Sequence, residues 1–303
     1  MLRSITFVRH ALPEVDASRP PGEWMLSSEG IAAAEALELD GFRASAVSST
    51  ESKAAQTVSL ALGLAETDVA TTPSFREVDR DEQVHEGFRD ARRAWVAGRL
   101  DARHACWETP DAAARRFHDG LLVYEAEHLI VGTHGMVLTA WLATQGLVER
   151  GVDAVAFWES LRFPDVLELG LPLLRVRAVL TDAEGRFVLI KRTRPGQEPY
   201  WTTPGGSVML ADRSPEDALR RELREELGAE AELGELVLER QLDSIRSEIF
   251  YAATLTSIDP ALADGLEFSA PSRGAYEVEL VTPDELRTID LRPDSLKRLL
   301  LSR

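Results

Sequence analysis

The apolar pattern changes character near residue 170, and that change divides the chain. Before it, short apolar runs alternate with helix-like stretches. Ile5-Thr6-Phe7-Val8 and His128–Gly132 read as buried strands, and Ser28–Leu39, Ser52–Leu62 and Met136–Thr144 read as helices. Strands alternating with helices predict a layered α/β domain with a mainly parallel sheet, over residues 1–168. The break lies at Arg162-Phe163-Pro164-Asp165, with Gly170 and Pro172 close behind, and has no Gly/Ser-rich linker. Beyond it, Leu173–Leu180 and Phe187–Lys191 flank a turn at Asp182–Gly185, predicting a hairpin. Glu248–Leu255 and Tyr276–Val281 read as strands; Pro215–Leu227, Pro283–Leu286 and Pro293–Leu301 read as helical. Residues 171–303 are therefore predicted to form a separate α+β domain, and no internal repeat links the halves. The length of 303 residues suits two domains of ordinary size.

Charge narrows the functional classes. The net charge is −17 and only three lysines occur, Lys53, Lys191 and Lys297. A nucleic-acid-binding surface is excluded as the default, and no helix-turn-helix pattern supports one. An acidic chain that handles phosphates must gather cations locally or borrow a divalent metal. The longest apolar runs are too short for a membrane span or a signal peptide. One cysteine, Cys106, rules out an internal disulfide and fits a reducing cytoplasm, the expected location.

The helix predicted over Pro215–Leu227 has both ends written out. Ser214 suits the N-cap, Pro215 the first helical position, Asp217 a capping box, and Gly228 the C-terminal stop. Glu222, Glu225 and Glu226 stand at i, i+3 and i+4, so three carboxylates share a face. Leu219, Leu223 and Leu227 form an apolar stripe elsewhere on it. Arg221 is placed to pair with Glu225 one turn along. Such a face is either a solvated set of salt bridges or a site for a hard divalent cation.

Arg221–Ala229 resembles the Nudix hydrolase signature R-E-U-x-E-E-x-G-U, and Tyr200–Gly206 resembles the glycine-led approach to it. The resemblance covers roughly residues 171–303. It implies a β-sandwich-like α/β/α fold, Mg²⁺ or Mn²⁺, and hydrolysis of a nucleoside diphosphate linked to another group. By that resemblance Glu222, Glu225 and Glu226 are metal ligands and water activators, and the Gly205 carbonyl is a further ligand. Met209 and Ala211 stand where a Glu and a Gly are common. Asp212 replaces the first signature glutamate if one residue is inserted. Glu267, Glu277 and Glu279 are candidates for a fourth metal carboxylate.

In the first half, His10 and His134 each follow a predicted strand, so a parallel sheet could bring them to one edge. Arg9-His10-Ala11, the Ser49–Thr57 stretch and Thr133-His134-Gly135 together resemble the histidine phosphatase superfamily, the phosphoglycerate-mutase-like enzymes, over about residues 1–168. The resemblance implies a three-layer α/β/α domain needing no metal. His10 would be the nucleophile, forming phosphohistidine. Arg9, Lys53 and His134 would form a cationic pocket, and Glu77 would be the leaving-group acid, with Glu82 and Glu86 as alternatives. Lys53 stands where the family has arginine, and Ala11 where it has glycine. His85, His104 and His118 have no metal-ligand spacing, and Trp107, Trp141 and Trp158 read as packing residues.

The two resemblances together imply a bifunctional phosphohydrolase acting on a small nucleotide or nucleoside diphosphate derivative. A Nudix enzyme with a non-catalytic first domain and a nucleotide sensor are the alternatives. Oligomeric state is not written in these motifs.

Overall fold

A computed structural model of the protein describes residues 2–39, 44–80, 87–194, 196–259, 261, 263 and 275–302. The chain divides into two compact units, residues 1–172 and 173–303.

The first unit is built on a five-stranded sheet. Its strands are β1 (Ser4–Arg9), β2 (Ala44–Ser49), β3 (Ala70–Thr72), β4 (His128–Thr133) and β5 (Asp165–Gly170), in the order β3-β2-β4-β1-β5. The first four run parallel, and β5 closes the edge antiparallel to β1. Period-2 alternation sends neighbouring side chains to opposite faces. On one face Val8 and Ile130 pack with Val58 of α2 (Ser52–Leu62). On the other, Phe7 meets Phe117 of α4 (Pro110–Leu121) and Trp141 of α5 (Gly135–Gln145), at ring distances of 5.7 and 5.1 Å. That is a three-layer α/β/α arrangement.

α1 (Ser28–Glu35), α3 (Phe88–Val96) and α6 (Val152–Ser160) complete the helices described there. α1 ends at Glu35, short of the expected Leu39; Leu37 and Leu39 instead reach the core from irregular backbone. β5 was not foreseen, because its residues fall in the segment read as an interdomain break. Its register pairs Gly170 with Ser4, so that segment belongs to the first sheet.

The second unit is α+β. Its mixed sheet comprises β6 (Leu173–Thr181), β7 (Phe187–Thr193), β8 (Tyr200–Thr202), β9 (Ala229–Gln241), β10 (Arg246–Ile258), β11 (Ala275–Val281) and β12 (Leu291–Arg292). The path runs β12-β8-β7-β6-β10-β9, with β11 paired to β7. α7 (Pro215–Leu227) lays Ala218, Leu219, Leu223 and Leu227 against Val176, Ala178 and Leu180 of β6. α8 (Asp294–Leu301) adds Leu296 to a second cluster with Val179 and Phe250 on the opposite face. Pro283–Leu286 is not a helix of the expected kind; only a short 3₁₀ turn forms, over Glu285–Arg287. Among the described residues, no helix is long and apolar enough to cross a membrane.

Candidate active sites

β1 and β4 are neighbours in parallel register, Arg9 opposite Thr133, so the next residues, His10 and His134, emerge together. Their rings lie 5.1 Å apart and both side chains are buried. His10 Nδ1 lies 2.8 Å from the Ala11 carbonyl oxygen. A carbonyl only accepts, so in the neutral imidazole Nδ1 carries the hydrogen and Nε2 the lone pair. Burial first, then the nearby His134, Lys53 and Arg9, hold the His10 pKa well below its ordinary value. The ring is therefore neutral at neutral pH. Burial and the same cations, with Arg80 and Arg116, depress His134 likewise. His134 Nε2 is 2.9 Å from Ser49 Oγ.

Arg9 closes one side. Its guanidinium lies 3.6 Å over the Phe163 ring and donates to the Leu161 carbonyl. Burial lowers its pKa to about 10 against the pull of Glu77 and Asp165. Lys53, in the first turn of α2, donates to the Pro21 carbonyl at 2.6 Å and to Glu51 at 2.5 Å. Thr57 of the same helix accepts the Ala11 N–H at 2.9 Å, which ties α2 to the loop carrying His10. Glu77 is fixed at the N-terminus of α5, accepting N–H bonds from Val137 (3.0 Å), Met136 (3.3 Å) and Val78 (3.1 Å). Negative charge is favoured at that end of a helix. Glu51 and Glu77 both line a cavity of about 380 Å³ with Pro20, Gly22, Arg76 and Arg80.

In the second unit Ser214 caps α7, accepting the Asp217 N–H at 3.1 Å, and Gly228 ends it in a left-handed conformation. Arg221 is the hub of its polar face. It reaches Asp212 at 3.1 and 2.9 Å, Glu222 at 2.9 Å, Glu225 at 3.0 Å and the Ser207 carbonyl at 3.0 Å. Burial opposes the charge on this guanidinium, but the carboxylates outweigh it and raise its pKa. Burial pushes the Glu222 carboxyl up, with Arg221 pulling the other way.

The glycine loop packs onto this helix. Gly205 has φ +129°, and a Cβ there would meet the Val176 carbonyl at 2.2 Å. A Cβ on Gly206 would fall 2.3 Å from a Glu222 carboxylate oxygen. The Gly205 N–H donates to Glu226 at 2.8 Å, and the Gly205 carbonyl accepts from Arg177 of β6. Arg177 also donates to Thr203 and to Glu248, and Arg240 holds the other Glu248 oxygen at 2.7 Å.

Residues 171–300 match the NUDIX domain family, and residues 5–152 match the histidine phosphatase superfamily, branch 1. The chain joins an N-terminal histidine-phosphatase domain to a C-terminal Nudix domain. The CTP pyrophosphohydrolase of Escherichia coli (strain K12) is 39% identical over 72 residues, which are 23% of this chain and 53% of that protein. The chain thus spans about half the length of this curated relative. The solved E. coli ORF135 protein is 29% identical, covering 43% of this chain and 86% of its own, with a TM-score of 0.31. A mycobacterial glucosyl-3-phosphoglycerate phosphatase is 20% identical, covering 56% of this chain and 90% of its own, with a TM-score of 0.40.

In the histidine-phosphatase domain the structure brings Arg9, His10, Lys53, Glu77 and His134 to one sheet edge. Glu82 and Glu86, with His85, lie outside the described residues. His104 is structural, bonding the Ala91 carbonyl and the Asp101 N–H. In the Nudix domain Glu222 and Glu225 share Arg221, whereas Glu226 turns to the Gly205 N–H. Among the described residues, no three His, Cys, Asp or Glu side chains are gathered tightly enough to hold a metal ion in this conformation. Glu279 is engaged by Lys191 and the Trp201 indole, Glu277 lies 3.8 Å from Lys191, and Glu267 lies outside the described residues. Glu51 and Arg177 were missed. Glu51 lies inside the Ser49–Thr57 stretch at a position to which that resemblance gives no role, and a lone arginine in a strand carries no sequence signal.

Proposed function

We propose that this chain is a bifunctional phosphohydrolase. Its Nudix domain hydrolyses a nucleoside di- or triphosphate derivative with a divalent metal, and its histidine-phosphatase domain hydrolyses a phosphomonoester. The name of the E. coli relative, a CTP pyrophosphohydrolase, supports a nucleotide as the substrate class of the Nudix domain.

The donor chemistry of α7 fits a hard cation such as Mg²⁺ or Mn²⁺. Glu222 is a carboxylate whose charge burial disfavours, and it shares one arginine with Glu225. Glu222, Glu225 and Glu226, with the Gly205 carbonyl, would hold the ion. Bound there, it would offset diphosphate charge and lower the pKa of a water. Arg221 fixes the rotamers of Glu222 and Glu225, and Asp212 fixes Arg221 in turn. Such supporting contacts orient ligands and tune them.

In the other domain, the neutral His10 Nε2 attacks phosphorus while the ester P–O bond breaks. Glu77 protonates the leaving oxygen. Water then cleaves the P–N bond, giving phosphate and restoring the imidazole. Arg9, Lys53 and His134 supply charge and donors to the phosphoryl oxygens.

The observation that carries two working sites, rather than one, is the His10 Nδ1 contact with Ala11, which leaves Nε2 as a ready nucleophile. One observation favours a second reading, a working Nudix site beside a non-catalytic scaffold: Lys53 is already paired with Glu51. Assaying His10→Ala and Glu222→Gln on phosphomonoesters and on nucleotides separates the two. Two sites predict that each substitution abolishes one activity and spares the other. A scaffold predicts that His10→Ala changes nothing.

A further inference from the structure

Glu51 is a carboxylate set among cations, and the reaction as proposed makes no use of it. It occupies the N-cap position of α2, yet its side chain caps no helix N–H and turns into the cavity instead. One oxygen lies 2.5 Å from Lys53 Nζ. The other accepts the Glu77 N–H at 2.7 Å and lies 3.6 Å from His134 Nε2. The charged groups facing it come from every neighbouring element: Lys53 from α2, His10 from the end of β1, His134 from the end of β4, and Arg76, Glu77, Asp79 and Arg80 from the segment after β3. Gly22 covers it from the remaining side; a Cβ there would come within 3.7 Å of it.

A phosphoryl group in reach of His10 meets three groups that can hold its oxygens, the Arg9 guanidinium, Lys53 Nζ and His134 Nε2, and the last two are the ones on the Glu51 side. Lys53 Nζ and His134 Nε2 already face Glu51. A phosphoryl oxygen within hydrogen-bond distance of either is therefore only a few ångströms from the carboxylate. Two anions that close each raise the pKa of the other, even with Lys53 beside them. One proton between them turns the repulsion into a hydrogen bond between charged partners. Neither imidazole can lend it, because burial keeps both neutral.

We propose that Glu51 is a specificity residue of this pocket, admitting a phosphoryl group together with one proton held between its carboxylate and a phosphoryl oxygen. The site thereby selects the monoanionic form of a phosphomonoester. The proton comes from solvent on binding and returns to it when phosphate leaves, so the cycle balances. The proposal rests on the phosphatase reading of the first domain, but binding tests it without turnover.

The test is a titration of the full chain, labelled with ¹³C at histidine, with phenylphosphonate between about pH 8 and pH 9, where the free ligand is mainly the dianion and, unlike inorganic phosphate, carries no proton of its own. The His10 and His134 resonances report this pocket alone. Uptake of one proton makes Kd weaken about tenfold per pH unit. Glu51→Gln is expected to bind with a Kd independent of pH, and about tenfold more tightly at the upper end. Equal slopes in the two proteins, or weaker binding by the variant, overturn the role of Glu51 alone. A pH-independent Kd in the unsubstituted chain overturns it without recourse to a variant. Absence of phenylphosphonate binding in both proteins overturns the phosphatase reading as well. An unchanged resonance for His104, which bonds the Ala91 carbonyl and the Asp101 N–H rather than Glu51, establishes that the ligand-free variant is folded.

Discussion

Asp212 and Arg221 are joined by two parallel contacts, Nε to Oδ1 at 3.1 Å and Nη2 to Oδ2 at 2.9 Å. Asp212 lies in the loop between the glycines and α7. Its carboxyl is pushed up by burial but pulled further down by Arg221 and the Met209 N–H, and stays below the usual range. The planar guanidinium fork suits this geometry, and a lysine ammonium cannot reproduce it. Arg221→Lys is therefore expected to lower nucleotide hydrolysis about 10- to 100-fold, the size of a lost supporting contact around a metal site. Kinetics at saturating Mg²⁺ check this, and an unchanged rate would remove Arg221 from the account.

The two loop glycines separate into different effects. Gly205→Ala forces a Cβ against the Val176 carbonyl at 2.2 Å on a backbone with φ +129°. It should destabilise the Nudix domain by roughly 1–3 kcal/mol or more, seen as a lower denaturant midpoint. Gly206→Ala meets only the end of the Glu222 side chain. It should leave the midpoint nearly unchanged while reducing nucleotide hydrolysis, because Glu222 must move.

Acid should weaken the first domain before its carboxylates titrate. His10 and His134 have folded pKa values well below 6.5, while in the unfolded chain they titrate at the ordinary value. The unfolded state then binds more protons below that value, so stability is fully present above about pH 6.5 and declines as pH falls beneath it. Each unit of depression corresponds to about 1.4 kcal/mol. Denaturant midpoints from pH 8 down to pH 5.5 test this; the unfolding transition of the first domain should fall, and a flat profile would contradict it.

Glu77→Gln can keep the Val137 and Val78 N–H bonds on its one carbonyl oxygen, loses the Met136 contact, and cannot donate a proton from a carboxyl. Phosphomonoester hydrolysis should drop by about 10²–10⁴-fold. A substrate with a leaving group that needs no protonation should lose much less, and equal losses on both substrates would argue against Glu77 as the acid.

Much of this architecture was legible because local signals agreed. α7 announced itself through Ser214, Pro215 and Gly228, and the structure forms it at Pro215–Leu227. β1 and β4 were legible as short apolar runs, and their parallel pairing brings His10 and His134 together. β9 was not legible. Its inward face is carried at the start by small residues, Ala229 and Ala231 with Leu233, set between exposed glutamates, so its alternation is faint in the sequence. Glu51 was hidden for another reason. Its importance comes from Lys53 at 2.5 Å and His134 at 3.6 Å, and the second contact joins residues 83 positions apart. The partners of Glu226 and the Gly205 carbonyl likewise depend on how the loop lies on the helix and on β6, which spacing alone does not specify.

The most direct test of two working sites is a phosphorus NMR time course on the intact chain with a panel of nucleoside triphosphates, nucleotide sugars and phosphomonoesters, with and without Mg²⁺, alongside His10→Ala. The account of two working sites predicts metal-dependent loss of the phosphoric anhydride and release of free phosphate from a monoester, with His10→Ala losing the second and keeping the first. Identical product courses for the two proteins would contradict it.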